Sequence, residues 1–152
     1  MLRRAAAEDA AAVRALTRAA YARWVPLIGR EPKPMQADYE RAVREHRIDL
    51  ALLAGELAGL IETIEQPDYL LIENVAVAPA FQGTGVGRRL MAHAEQLAVQ
   101  LGRTELRLYT NARFTENVAL YRRLGYRIDR EEASTLGVTV YMSKSVSAQL
   151  ST

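Results

Sequence analysis

The chain has 152 residues, the length of one ordinary domain and short for two. Hydrophobic residues make up 49% and charged residues 25%, which excludes wholesale disorder and a fibrous repeat. Lys+Arg 20 against Asp+Glu 18 leaves a net charge of +2, and the arginines are spread over several segments without an interleaved aromatic patch, so no nucleic-acid partner is expected. Cys 0 excludes disulfides, thiolate metal sites and a cysteine nucleophile, and two distant histidines, His46 and His93, predict no metal site and no role for either ring. Glu73 and Asn74 interrupt the longest apolar run well short of the roughly 20 residues that cross a bilayer. Glu8 and Asp9 arrive too early for a signal peptide. The expectation is a single cytoplasmic domain over residues 1–152 with no membrane contact.

In chain order, residues 1–5 read as a short edge strand. From Glu8, Val13, Leu16, Ala20 and Trp24 recur at helical spacing, and the acidic first turn suits the positive end of the helix dipole. Pro26 and Gly29 end that helix, a stiff loop follows, and a second, polar helix is predicted over about residues 36–46. Residues 48–54 and 57–64 read as a hairpin around Gly55-Glu56, and residues 69–78 as a third strand closed by Pro79. Then comes the clearest helix: Leu90, Met91, Ala94, Leu97, Ala98 and Leu101 form one stripe, with Gly102 at the place of a left-handed cap. Residues 104–110 alternate as a strand, residues 115–124 form a short helix stopped by Gly125, and residues 126–129 and 138–143 make a last strand pair, open to pairing across a homodimer. The order β-α-α-β-β-β-α-β-α-β-β is mixed α/β.

The segment Gln82-Gly83-Thr84-Gly85-Val86-Gly87-Arg88-Arg89 joins a strand to the amphipathic helix. Alternating glycines let successive N–H groups curl into one concavity at a helix N-terminus, where unpaired donors and the dipole favour an anion. Arg88 and Arg89 oppose that dipole by roughly 0.3–1 kcal/mol each, which an anionic ligand such as a pyrophosphate would offset. The plain alternative is a sharp turn with solvated arginines. The spacing fits neither the dinucleotide fingerprint, whose third glycine would fall on Arg88, nor the P-loop, which needs Gly-Lys-Ser/Thr.

This turn resembles the Gln/Arg-x-x-Gly-x-Gly/Ala signature of the GNAT acyltransferases (GCN5-related N-acetyltransferases). Val75-Ala76-Val77-Ala78-Pro79 resembles the strand that precedes it there. The run from Asn117 to Tyr126, with Leu120-Tyr121-Arg122-Arg123-Leu124-Gly125-Tyr126, resembles that family's second motif, Leu-Tyr-x-x-x-Gly-aromatic. The resemblance covers nearly the whole chain and is weakest over residues 22–47. It implies a fourth strand splayed from the fifth around acetyl-CoA, and direct transfer to a primary amine. It implies further that the backbone of Val75, Ala76 and Val77 meets the pantetheine arm, and that Gln82, Gly83, Thr84, Gly85, Val86, Gly87, Arg88 and Arg89 hold the pyrophosphate. Tyr121 falls on the general-acid position.

Glu73, two residues before the implied thioester site, is the expected proton acceptor, or else an attractor of a cationic amine, or a partner in a structural ion pair. Strand alternation places it on the face of Val75 and Val77 unless a bulge intervenes. Two departures stand out: Phe114 occupies the position of a frequent cofactor-binding asparagine, leaving Asn117 or Asn111 to serve, and Tyr109 that of a glutamate in some N-terminal acetyltransferases. Tyr21, Trp24, Val25, Pro26 and Leu27, with Tyr109 or Tyr141 opposite, are the expected acceptor pocket beside Glu73. The expected activity is acetylation of a small-molecule amine; the alternatives are a peptide or protein N-terminal acetyltransferase and a non-catalytic acyl-CoA-binding regulator.

Overall fold

The computed structural model describes residues 1–147, and among these described residues there are seven strands and six α-helices. Strand β1 (Leu2–Arg4) leads through a 3₁₀ turn into α1 (Ala10–Tyr21). Three shorter helices follow: α2 (Val25–Ile28), α3 (Lys33–Gln36) and α4 (Tyr39–Glu45). A meander of β2 (Arg47–Leu53), β3 (Glu56–Glu65) and β4 (Leu70–Val77) precedes the long α5 (Val86–Gln100). The described chain ends through β5 (Glu105–Asn111), α6 (Thr115–Arg123), β6 (Arg127–Ser134) and β7 (Gly137–Ser145).

Four helices stand where the periodicity predicts two. Gly29 takes φ 74° and closes α2 with its N–H on the Val25 carbonyl, and Pro34 falls in the first turn of α3. The Asp38 carboxylate accepts the Arg41 amide at 3.2 Å and starts α4. With α2 and α3 set aside as single turns, the order is the one read from the sequence.

The sheet runs β1-β2-β3-β4-β5-β7-β6, antiparallel except where β4 meets β5. Helix α5 covers one face through Leu90, Met91, Ala94 and Leu97, packed with Ile61, Ile72, Leu106 and Met142. Helices α1 and α4 cover the other face of β2–β4 through Val13, Leu16 and Ala42, packed with Leu50 and Leu60. The last hairpin is longer than its sequence suggests. All eight residues of β6 are exposed, so no apolar alternation marks it, and Arg127–Asp129 and Arg130–Glu132 pairs line this free edge.

Candidate active site

Two features of β4 open the sheet. Its ladder to β5 is confined to Leu70–Ile72 against Leu106–Leu108. Against β3 the register runs Glu62↔Asn74 and then Thr63↔Ile72, which leaves Glu73 without a partner as a bulge. One extra residue bends and twists a strand, and here it also exchanges the faces. Ile72, Val75 and Val77 all pack on the α5 side, whereas Asn74 and Ala76 turn toward α1. The alternation that places Glu73 with Val75 and Val77 is thereby corrected: Glu73 lies with Asn74 in a separate cavity.

On the α5 side of the opening lies a cleft of about 410 Å³, lined by Val75, Ala76, Val77, Gln82, Gly83, Gly85, Gly87, Arg88, Asn117 and Tyr121. Gly83 and Gly85 take φ 79° and 91°, which only glycine adopts without strain, and a Cβ at either would point into open space. No side chain caps α5, so its first N–H groups remain free donors at the positive end of the dipole. Gln82 Nε2 donates to the Val77 carbonyl at 3.2 Å and Thr84 Oγ1 to that of Phe81, so both tie the turn to the strand end. Val86 is buried core, and Arg89 is exposed outside the cleft lining. The Tyr121 hydroxyl is pushed up to about 12 by burial alone.

The second cavity, about 700 Å³, lies among α2–α4, β3–β5 and the β6–β7 turn. Within it the Tyr109 hydroxyl donates a short hydrogen bond to Glu73, and Lys33 Nζ donates to Tyr109 at 3.3 Å. Burial and the Glu73 carboxylate both hold the Tyr109 phenol well above its ordinary range. His46 Nδ1 lies 2.6 Å from Glu62 Oε2, and burial raises the Glu62 carboxyl against the lowering effect of that imidazole. Asn74 fixes the floor. It accepts from the Tyr21 hydroxyl at 3.0 Å and donates to Thr17 and Tyr39, each at 3.3 Å.

Tyr21 lines both spaces and marks their junction. Trp24 lines the cleft rather than the cavity of Glu73, and its ring stacks on Phe114 at 4.6 Å. Phe114 is 4% exposed and faces the cavity, so the stacked pair forms a wall between the two spaces. Tyr109 and Asn111 line the cavity, whereas Val25, Pro26, Leu27 and Tyr141 do not. Glu62, Lys33, Tyr39 and His46 are cavity residues that sequence reasoning did not place there. The one available signal was Glu62 itself, a charge inside an otherwise apolar strand.

A model described as the Acetyltransferase (GNAT) family matches residues 11–126, which span the glycine turn, the opened strands and α6. The chain belongs to this family. Among GNAT relatives, N-alpha-acetyltransferase 80 from Mus musculus is 38% identical over 71 residues, 47% of this chain. The match spans 21% of that relative's length. The ribosomal-protein-S18-alanine N-acetyltransferase from Escherichia coli shares the fold with a TM-score of 0.79 at 20% identity, over 97% of this chain and 94% of the other. PaiA N-acetyltransferase from Thermoplasma acidophilum, solved in complex with coenzyme A, gives 0.80 at 17% identity, over 95% and 98%. The GNAT expectations of fold and of splayed central strands hold.

Proposed function

We propose that this GNAT protein is a single-domain, cytoplasmic N-acetyltransferase that moves the acetyl group of acetyl-CoA directly onto the primary amine of a small molecule. The observation that carries this reading is the meeting of cleft and cavity at Tyr21, whose hydroxyl donates to Asn74 Oδ1 at 3.0 Å beside the bulge at Glu73. Glycines open above the turn, uncapped N–H groups and Arg88 fit a pyrophosphate, with Gln82, Thr84 and Val86 shaping the turn and Arg89 adding charge outside it. The unpaired edge of Val75, Ala76 and Val77 fits the amide-bearing arm, and Asn117 lies beside it. When bound, the thioester supplies an activated acetyl group. Tyr121 gives its proton to the leaving sulfur, and Glu73 meets the ammonium form of the acceptor.

A small acceptor is favoured because Arg30 Nη2 donates to the Leu136 carbonyl at 3.1 Å, tying the loop before α3 to the β6–β7 turn over the cavity. Acetylation of a peptide N-terminus is the second reading, supported by the likeness to N-alpha-acetyltransferase 80. The test is CoA release from acetyl-CoA across a panel of small amines, amino acids and peptides. Turnover of small amines supports the first reading, and turnover of peptides alone supports the second. No turnover with any acceptor would leave a non-catalytic acyl-CoA-binding regulator.

A further inference from the structure

The acetyl transfer proposed above needs an acceptor nitrogen freed of its proton, and in Glu73 one oxygen, Oε1, already accepts from the Tyr109 hydroxyl while the other is left to face the ammonium. A second pair stands in the same cavity. Glu62 is buried, 3% exposed, and its strand position lies directly across from Asn74, next to Glu73 at the junction with the cleft. Against an ionised Glu62 carboxylate, which only accepts, a neutral imidazole must carry its hydrogen on Nδ1 to make the 2.6 Å contact, and Nε2 of His46 is then the lone pair. The His46 side chain is 28% exposed against 4% for Glu62, so the ring stands between the buried carboxylate and the open cavity.

We propose that His46, oriented by Glu62, is the general base that takes the proton of the acceptor ammonium, while Glu73 holds that ammonium in place. This rests on the N-acetyltransferase reading, and it moves the proton-accepting role expected of Glu73 onto a histidine. Of the three ammonium hydrogens, one stays on the amide nitrogen and one passes to Nε2 and then to water. The third makes good the proton that Tyr121 gives to sulfur as the N–C bond forms and the C–S bond breaks. A buried carboxylate behind the ring stabilises the imidazolium that results.

The charges around the pair leave it this role. Glu73 on β4 disfavours the Glu62 carboxylate and Lys33 on α3 favours it. Tyr39 on α4 is held neutral by burial and by both glutamates, Tyr21 on α1 and Tyr109 on β5 likewise have raised phenols, and Asp38 caps α4. Arg41 and Glu45 pair with each other at 2.7 Å, and Arg30 is committed to the carbonyls of Glu31 and Leu136.

The test is the pH dependence of kcat between pH 5 and 9 at saturating acetyl-CoA, using the best amine, for wild type, H46N, E62Q and E73Q. The asparagine amide keeps a donor where Nδ1 lies. H46N should lose roughly 100-fold or more in kcat, with a flattened acidic limb, an acceptor KM within about threefold and partial rescue by added imidazole. E62Q should move the acidic limb to lower pH, because the imidazolium loses its anion. E73Q should raise the acceptor KM and keep the limb. By NMR, the His46 ring in the wild type should titrate at the midpoint of that limb, a readout independent of how well any variant folds. A limb unmoved in H46N, a limb lost in E73Q instead, or an NMR midpoint away from the limb overturns the dyad alone. A wild type in which no amine, amino acid or peptide of the panel elicits CoA release overturns the reading and the dyad together.

Discussion

Tyr121 sits on α6 with its ring edge-on to that of Tyr126, 6.0 Å between centroids, and faces the cleft beside Asn117. Because burial alone raises its hydroxyl to about 12, the phenol keeps its proton through neutral pH and is available to donate. Tyr121→Phe should therefore retain acetyl-CoA affinity by calorimetry while kcat falls roughly 10²–10⁴-fold. Turnover within threefold of wild type would make the residue a packing group. The same variant has a signature in stability. A phenol near 12 when folded and near 10 when unfolded contributes stability that is full below pH 10 and lost as pH rises toward 12. Tyr21, Tyr39, Tyr109 and Tyr126 are raised as well, so Tyr121→Phe should make the alkaline fall of denaturation free energy shallower without abolishing it.

At the scale of elements, β3 and α5 approach closely at Gly59. A Cβ on Gly59 would lie 2.9 Å from Val86 Cγ1, 3.0 Å from the Ala76 carbonyl oxygen and 3.1 Å from Leu90 Cδ1. Gly59→Ala should destabilise by about 1–3 kcal/mol, visible as a melting temperature lowered by several degrees, because a backbone oxygen cannot give way as a side-chain tip can. An unchanged melting temperature would show that α5 can slide outward at no cost. This helix was legible in the sequence, since its stripe is local and Gly102 takes the left-handed φ of 74° that its position demands. The glycine turn was legible for the same local reason. The bulge at Glu73 was not, because a bulge belongs to a pair of strands and no property of residues 70–77 alone creates it. The single-turn helices α2 and α3 were not legible, because prolines and a glycine there signal only a helix end and a loop, whereas the helix expected over about residues 36–46 is α4. The Glu62–His46 pairing was hidden because it joins β3 to the end of α4 across the fold.

For the whole molecule, a ligand that binds only the native state adds about 2.7 kcal/mol at a hundred times its dissociation constant, so acetyl-CoA should raise the melting temperature. Gly85→Asp should abolish that rise, since it sets a carboxylate against the proposed pyrophosphate site at a residue with φ 91°. The melting temperature of the ligand-free variant measures the backbone strain separately, and an undiminished rise would place the ligand elsewhere. The wall of Trp24 on Phe114 has a kinetic meaning. With acetyl-CoA proposed for the cleft and the amine for the cavity, two spaces that touch at Tyr21, neither would have to leave before the other enters. Double-reciprocal plots of initial rate should then converge rather than run parallel, and free CoA should compete with acetyl-CoA but never with the amine.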